Sequence, residues 1–414
     1  MKYSKKTKMP KRDLLAIMLF ILSLSSALCQ TYNEITTKAY SAAYVDNNFK
    51  KAEELYTIAF KKQKPKSFDL YYAAENSLKL NNIDKFKYYL SQAVENGYAN
   101  YNFLIRQLRF KTHFTNDEWD SLILRTKANY YIFEEDYKKM KDSLSGYYET
   151  SKKISGDIDL RTDSLPIKHQ GQRNTCSVFA ATALIENIIW IKKKQIVDLS
   201  ESYNYWAAKT YALTNNFLKE IYTSIDGLAG YLAVEAYKYG SMSEKNWKYE
   251  NTNWLTNEDK RCKIVNGNYT KECFTGTPPP NSRKSEFIAK PVYIDRKDIG
   301  QYILQEKKPV VMNIFWYFNA VDSLGNFSLP SDNDIEKGGH VILLIGYNSE
   351  TKTFIFRNSW GKSWGQNGYG TIPEEYIMNY FELAETFPYG NDISEDEKNE
   401  LIKGSMGVSA VLIN

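Results

Sequence analysis

One cysteine in this chain has the surroundings that nucleophilic attack on a carbonyl carbon requires. Cys176 stands at the predicted start of a helix, where unpaired N–H groups and the helix dipole favour thiolate over thiol. The backbone N–H of Cys176 and the side-chain amide of Gln170, six residues upstream, are candidate donors to a developing oxyanion. Taken alone, the segment also fits a small buried cysteine at a helix start.

The histidines offer few choices for a base, since the chain contains only His113, His169 and His340. His113 falls in a helical N-terminal region, and His169 is an awkward partner because it lies in the loop just before the cysteine. His340 follows two glycines and opens the apolar strand 341–345. We therefore predict His340 as the base.

An asparagine could hold that base in place. Asn358 lies 18 residues after His340, at the end of the next predicted strand. Its amide can accept from one imidazole nitrogen and leave the other free for a thiol. Trp360 could cover this contact and keep water away. A purely structural interpretation, an Asn-Ser turn with two core tryptophans, does not account for the glycine spacing that follows.

These segments together resemble the active-site motifs of the papain family of cysteine peptidases. The similarity extends over roughly residues 156–414, and its strongest part is the block Asn-Ser-Trp-Gly-x-x-Trp-Gly-x-x-Gly-Tyr that begins at Asn358. The matching segments are, in chain order, Asp159-Leu160-Arg161, Gln170 to Cys176, Leu199-Ser200-Glu201, Gly230-Tyr231, Lys308-Pro309-Val310, Gly338-Gly339-His340 and Asn358 to Tyr369.

The resemblance implies an α+β, papain-like two-lobed fold, with a helical left lobe, a β-barrel-like right lobe and the active site between them. It also implies peptide-bond hydrolysis through a thioester intermediate. The implied roles are Cys176 as nucleophile, His340 as base and then acid, Asn358 as orienting residue, Gln170 as oxyanion donor, Trp360 as shield and Gly230 as a substrate-binding backbone position.

Three positions depart from the family pattern. Ser177 replaces the usual aromatic residue after the nucleophile, and Ala229 replaces the first glycine of the glycine segment. Arg173 stands where the family usually has a cysteine, so the disulfide made by that cysteine cannot form. These departures bear on substrate preference and on the stability of the left lobe more than on the chemistry.

The hydrophobic pattern of residues 151–414 predicts a helical half followed by a sheet half. Helices are expected at 176–194, 203–214 and 228–239, and strands at 310–318, 341–347, 353–356 and 408–413. The polar, proline-rich segment 251–285 is expected to be a long surface insertion. Such an arrangement leaves a cleft between its two halves.

Residues 30–150 are expected to form a separate helical domain. Residues 47–59 and 81–93 align with an offset of 34 residues, the period of tetratricopeptide helix pairs. Only two units are recognisable, so a helical bundle with coincidental similarity stays open. A tetratricopeptide-like domain would provide a docking surface for a protein partner. The region lacks the pattern of the family's inhibitory propeptide, and whether it is removed stays open.

Residues 1–29 are expected to be a secretory signal peptide. A basic head precedes the apolar run 14–28, which is too short to be a stable membrane span. Cleavage after Cys29 would give an exported protein, periplasmic or secreted. Lipoprotein anchoring at Cys29 is less favoured because Leu28 is large. The whole net charge of +5 comes from this segment, so nothing indicates a nucleic-acid partner.

The remaining cysteines favour one disulfide and one thiol. Cys262 and Cys273 are close in sequence and are the expected pair in an oxidising compartment, which leaves Cys176. No ligand spacing predicts a metal, and no cofactor motif is present. The sequence therefore predicts an exported cysteine peptidase acting on peptides or proteins. A catalytically silent peptide-binding protein on the same fold is the alternative, and a transferase that uses the same triad is a third interpretation.

Overall fold

The computed structural model describes residues 32–44, 46–144, 146–150, 152–223, 225–251, 262–265, 268–280, 287–331, 334, 337–380 and 394–413. The predicted signal peptide and Cys29 lie outside these ranges. Among the described residues, no helix has both the length and the hydropathy needed to span a bilayer. The chain forms two compact units, residues 1–65 and 66–414.

The first unit contains a helical hairpin. Its helices are α1, Tyr32–Tyr44, and α2, Phe49–Lys62. In α2 the buried residues Ala52, Tyr56 and Ala59 recur at a spacing of three to four and so share one face. This face packs on α1, where Tyr32 and Ile35 are also buried.

The second unit begins with more helices, as expected for residues up to 150. Their bounds are α3 Ser67–Lys79, α4 Ile83–Glu95, α5 Tyr101–Leu104, α6 Leu108–Lys111 and α7 Asn116–Ser143. Helices α3 and α4 pack together as a hairpin. Helix α7 starts with a capping box, in which the Thr115 and Glu118 side chains and backbone N–H groups bond reciprocally.

The 34-residue repeat is visible in the turns before α2 and α4. Asn47 and Asn81 both adopt left-handed backbone conformations, with φ of 52° and 55°, which asparagine tolerates better than most residues. The next residue caps the helix in each case, since the side chain of Asn48 accepts from Lys51 N and that of Asn82 from Lys85 N. The repeat is therefore structural, whereas membership of the tetratricopeptide class stays a prediction.

A helical part follows, close to the predicted bounds. Its helices are α8 Cys176–Lys193, α9 Glu201–Ala207, which continues as a π-helical turn Ala208–Ala212, α10 Asn216–Tyr222 and α11 Gly230–Glu235, which continues as a 3₁₀ turn Ala236–Tyr239. Helix α8 is apolar on nearly all sides and is buried from Ser177 to Ile189. It ends at Lys194, which adopts a left-handed conformation.

The sheet part contains the strands β1 Tyr147–Tyr148, β2 Asp157–Asp159, β5 Ala289–Ile294, β6 Val310–Tyr317, β7 Lys337–Asn348, β8 Thr353–Arg357, β9 Tyr369–Pro373 and β10 Gly407–Leu412. Their order in the sheet is β1-β5-β10-β6-β7-β8-β9, and β2 pairs with β7. Three further helices accompany them, α13 Ile299–Glu306, α14 Glu374–Asn379 and α15 Glu395–Ser405. The predicted α+β arrangement is confirmed, and the strands run in an open order.

The helical and sheet parts share one hydrophobic core. Helix α8 packs on β7 and β10, and α11 packs on α8 and β5. Buried residues of α8, α11, β7 and β10 belong to a single cluster. Because α8 carries Cys176 and β7 carries His340, this shared core fixes the relative position of the two elements.

The predicted surface insertion 251–285 is only partly a surface feature. It contains a small hairpin, β3 Ile264–Val265 and β4 Asn268–Tyr269, and a short helix α12, Glu272–Thr275. The hairpin is exposed, but Cys273, Phe274 and Thr275 are buried. The expectation was wrong for these three residues because the polar and proline content of their neighbours hid a short apolar anchor.

Candidate active site

Cys176 is the first residue of α8, as the sequence predicts, and is partly exposed. Helix N-termini carry N–H groups without intrahelical partners. The preceding residue, Thr175, does not cap the helix with its side chain. Its hydroxyl instead bonds the Tyr249 hydroxyl at 2.6 Å. The start of α8 is the positive end of the helix dipole, which favours a thiolate or another anion in front of it.

His340 and Asn358 lie within hydrogen-bonding distance. The Nε2 of His340, on β7, is 2.9 Å from the Oδ1 of Asn358, which follows β8. The same Oδ1 accepts from Ser359 N at 2.8 Å, so it is held as an acceptor. Nε2 must then carry the imidazole proton, which leaves Nδ1 of the neutral ring as the base.

Burial keeps His340 neutral. The side chain is 4% exposed, and this removal from water lowers its pKa from 6.5 to about 4, with the hydrogen bond to Asn358 acting in the opposite direction. At neutral pH the ring is therefore uncharged, and Nδ1 keeps its lone pair.

Two tryptophans enclose the imidazole. The ring of Trp360 lies 4.8 Å from that of His340, and Trp316 on β6 meets it edge-on at 5.1 Å. The two tryptophans also contact each other at 4.7 Å. Trp360 has the position expected of a shield. Trp316 was missed by the sequence analysis, although it lies in a predicted strand opposite the His340 strand.

Gln170 connects the cysteine loop to the asparagine segment. Its Nε2 donates to Arg173 O at 2.8 Å, and its Oε1 accepts from Ser359 Oγ at 2.6 Å. The backbone N–H of Gln170 also donates to Ser359 O at 2.8 Å. An amide nitrogen has two hydrogens, so the bond to Arg173 O uses one of them, and the role of Gln170 as an oxyanion donor stays a prediction.

A small cavity brings α8, β7 and the asparagine segment together. Its volume is about 10 Å³, and it is lined by Phe179 and Ala180 from the first turn of α8, by Val341, next to His340, and by Asn358. The start of the cysteine helix therefore faces the strand and the turn that carry the other two predicted residues.

The other histidines have different surroundings. His169 accepts from Gly171 N through Nδ1 at 2.8 Å, and its residue forms an isolated bridge with Trp360. His113 lies against Phe86 in the helical region. His340 has the asparagine partner expected of the base, and its assignment as the base stays a prediction.

Gly230 begins α11 and is buried against the sheet. Its N–H donates to the side-chain oxygen of Asn313 at 3.0 Å. A Cβ at this position would lie 2.7 Å from that oxygen and 2.9 Å from a methyl group of Val341, so only glycine fits. Because its N–H already has a partner, the role of Gly230 in binding a substrate stays a prediction.

A buried cluster of charges that the sequence does not predict lies next to Gln170. The Lys168 ammonium lies 2.9 Å from Glu186 on α8, 2.9 Å from Glu201 on α9 and 2.8 Å from Asp198. Burial alone would lower the pKa of Lys168, but the carboxylates of Glu201 and Glu186 outweigh it and raise that pKa. The ammonium therefore stays charged and holds the loop onto two helices. The separation of these residues in sequence hid the cluster.

Cys262 and Cys273 form the expected disulfide. It closes the loop that contains the exposed hairpin β3–β4. Phe274, the next residue, accepts from the Arg173 guanidinium through its carbonyl oxygen. The disulfide loop thus contacts the segment that leads into Cys176.

Comparisons with known proteins indicate the family of the chain. A family model described as papain family cysteine protease matches residues 154–387, more than half of the chain. A cysteine protease of Blomia tropicalis is 26% identical over 57% of this chain and 66% of its own length, and fruit bromelain of Ananas comosus is 29% identical over 49% and 50%. The chain thus spans between half and two thirds of the length of these curated relatives.

Among solved structures, xylellain, a cysteine protease from Xylella fastidiosa, is similar at 22% identity with a TM-score of 0.41. The match covers 59% of this chain and 86% of that one.

Proposed function

The chain belongs to the papain family of cysteine proteases, and on that basis we propose that it hydrolyses peptide bonds with Cys176 as nucleophile, His340 as base and Asn358 as orienting residue. The observation that carries the proposal is the bond between His340 Nε2 and Asn358 Oδ1, which leaves Nδ1 as the proton acceptor. The substrates are peptides or proteins.

In the acylation step, a C–S bond to Cys176 forms and the C–N bond of the peptide breaks. The thiol proton of Cys176 moves to His340 Nδ1, and the sulfur attacks the carbonyl carbon. The oxyanion accepts from Cys176 N–H and from Gln170 Nε2–H. His340 then gives its proton to the leaving amine nitrogen as the C–N bond breaks, which leaves a thioester on Cys176.

In the deacylation step, His340 again acts first as a base and then as an acid. A water molecule gives a proton to His340 Nδ1 as its oxygen attacks the thioester carbon. The C–S bond breaks, the peptide acid leaves, and the thiolate of Cys176 takes the proton back from His340. Trp360 and Trp316 exclude other water from the His340–Asn358 bond, so the orientation of the ring persists through both steps.

The test combines labelling and turnover. A thiol-directed epoxide should add once, at Cys176, and should fail to add to the His340→Ala variant. Cys176→Ser should lower peptide turnover by at least about 10⁴-fold with an unchanged fold. Asn358→Ala should cost less, about 10-fold to 100-fold, because the amide orients the base and does not react. Absence of labelling in the wild-type protein would instead favour a silent peptide-binding protein.

The location of the protein is also a proposal. The disulfide between Cys262 and Cys273 supports an oxidising compartment, because such bonds rarely persist in a reducing cytosol. We place the protein outside the cytoplasm, in the periplasm or the medium. The helical residues 31–150 are proposed to dock a protein partner.

A further inference from the structure

The segment that leads into Cys176 is held by a carboxylate that the sequence analysis did not single out. Asp226 lies in the loop before α11. Its Oδ2 accepts from the backbone N–H of Asn174, two residues before the nucleophile, at 2.8 Å. Its Oδ1 accepts from the Tyr205 hydroxyl, also at 2.8 Å. Both carboxylate oxygens are therefore used.

Tyr205 connects this carboxylate to its own loop. The side chain, on α9, is fully buried, and its hydroxyl oxygen accepts from Gly227 N at 2.8 Å. Burial and the nearby Asp226 charge raise the pKa of Tyr205 well above 10, so the hydroxyl keeps its proton and donates it to Asp226. Gly227 has a φ of 122° and a Cβ there would lie only 3.8 Å from Asn174, so the two loops lie close together.

Two basic side chains lie beside Tyr205, the partner of Asp226. The Lys209 ammonium, in the π-helical turn after α9, lies 5.2 Å from the ring centre of Tyr205 and donates to Ile225 O at 2.8 Å. The Arg173 guanidinium lies 5.7 Å from the same ring. Glu250 contributes its carbonyl oxygen as an acceptor for Arg173. Burial lowers the pKa of Lys209 to about 7, and the Asp226 carboxylate acts in the opposite direction.

We propose that Asp226 and Tyr205 are positioning residues for Cys176: together they fix the Asn174 backbone and hence the direction in which the helix N-terminus presents the sulfur. The inference rests on the proposed function of Cys176. Helix N-terminal N–H groups stabilise a thiolate only when the sulfur lies in front of them, so a shift of the Asn174 backbone would weaken that stabilisation.

Tyr205→Phe is the cleanest variant because it removes one hydroxyl and changes no charge. The matched control is Tyr203→Phe on the same helix, since the hydroxyl of the buried Tyr203 donates to Tyr239 O at 3.3 Å, away from the segment that leads into Cys176. We measure the rate of Cys176 alkylation by iodoacetamide across pH, the kcat and KM for a peptide substrate, and the melting temperature.

The expected result is that Tyr205→Phe lowers the alkylation rate and kcat about tenfold, with KM within about twofold of wild type, as loss of one hydrogen bond to a charged group would. Tyr203→Phe should leave all three unchanged. Wild-type alkylation rates in a folded Tyr205→Phe protein would overturn the proposal, and a lowered melting temperature alone would show a structural role only.

Asp226→Asn tests the acceptor of the same hydrogen bond. It removes a negative charge near the sulfur, which by itself would favour the thiolate and speed alkylation. Slower alkylation therefore supports positioning, and faster alkylation contradicts it. If wild-type Cys176 reacted no faster than an ordinary thiol, the proposed function would fail instead, so the two failures are distinguishable.

Discussion

At the scale of the residue, enclosure decides what His340 can do. Its ring lies between Trp360 and Trp316 and bonds Asn358. The pKa of His340 is lowered to about 4 because burial penalises the charged ring. Exclusion of water from the ring therefore also makes the His340 imidazole harder to protonate in the folded protein.

This enclosure should make His340 a source of acid sensitivity. The unfolded chain binds a proton near pH 6.5, whereas the folded chain does so only near pH 4. Between these values the unfolded state binds more protons, so the free energy of unfolding falls as the pH falls, by about 1.4 kcal/mol per unit. His340→Gln, which cannot titrate, should lack this slope.

Urea unfolding at pH 4.5, 5.5 and 6.5 measures the effect. Between pH 4.5 and 6.5, the free energy of unfolding of the wild-type protein should change more steeply with pH than that of His340→Gln. Above pH 7 the two free energies should have the same dependence on pH. Parallel curves throughout would show that the imidazole is already exposed enough to be protonated while folded.

The sequence predicted the proposed catalytic residues, but it did not predict the residues that hold their segments in place. Cys176, His340 and Asn358 stand out because few histidines exist and the glycine spacing is unusual. Asp226 and Lys168 do not, because an acid or a lysine in a polar loop is ordinary in sequence. Their importance comes from partners 52 and 33 residues away along the chain, which only the fold brings together.

At the scale of the element, Lys168 joins a loop to two helices. Its ammonium lies against Glu186 on α8 and Glu201 on α9, and both carboxylates are almost fully buried. Removing one partner of a buried ion pair leaves an uncompensated charge. The loop in question carries Gln170, so its stability and the site's geometry depend on the same side chain.

Lys168→Met should therefore lower the free energy of unfolding by about 3–5 kcal/mol. The control is Lys238→Met, since Lys238 pairs with Glu235 at 3.5 Å but is 41% exposed; exposed pairs contribute at most about 1 kcal/mol. Chemical denaturation of both variants gives the comparison. Equal, small losses would mean that water already reaches the Lys168 cluster.

The sequence predicted the positions of helices and strands correctly where the chain has a long apolar run. Helix α8 and strands β6 and β7 are long apolar runs, so their positions were correct to within a few residues. Strands β5 and β9 were missed, because Pro291 interrupts one and Gly370 the other. Proline and glycine are normally depleted in strands, and only the neighbouring strands show that both segments pair.

At the scale of the whole molecule, residues 66–150 are attached to the sheet. Strand β1 pairs in parallel with β5, with Tyr147 opposite Tyr293. Lys398 on α15 lies 3.3 Å from Asp136 on α7, and Arg106 lies 3.2 Å from Glu375. Residues 66–150 therefore attach to the rest of this unit through β5, α14 and α15.

A cut between this region and the sheet should not separate them. Replacing residues 151–153 by a protease site and cutting it should give two fragments that co-elute in gel filtration and keep the wild-type rate of peptide hydrolysis. Their separation in buffer without denaturant would show that the contacts need the covalent link. The same cut in 6 M urea, where the fragments should separate, is the control.

The position of β10 has a consequence for how the chain is made. Strand β10, residues 407–412, lies between β5 and β6 in the sheet, although it leaves the ribosome after both. Until it emerges, β5 and β6 each present an unpaired edge, and such edges invite pairing with other chains. A nascent chain therefore cannot join the half of the sheet that holds β1 to the half that holds His340 during elongation. Completion of this sheet, and with it the start of any activity, waits until β10 has been synthesised.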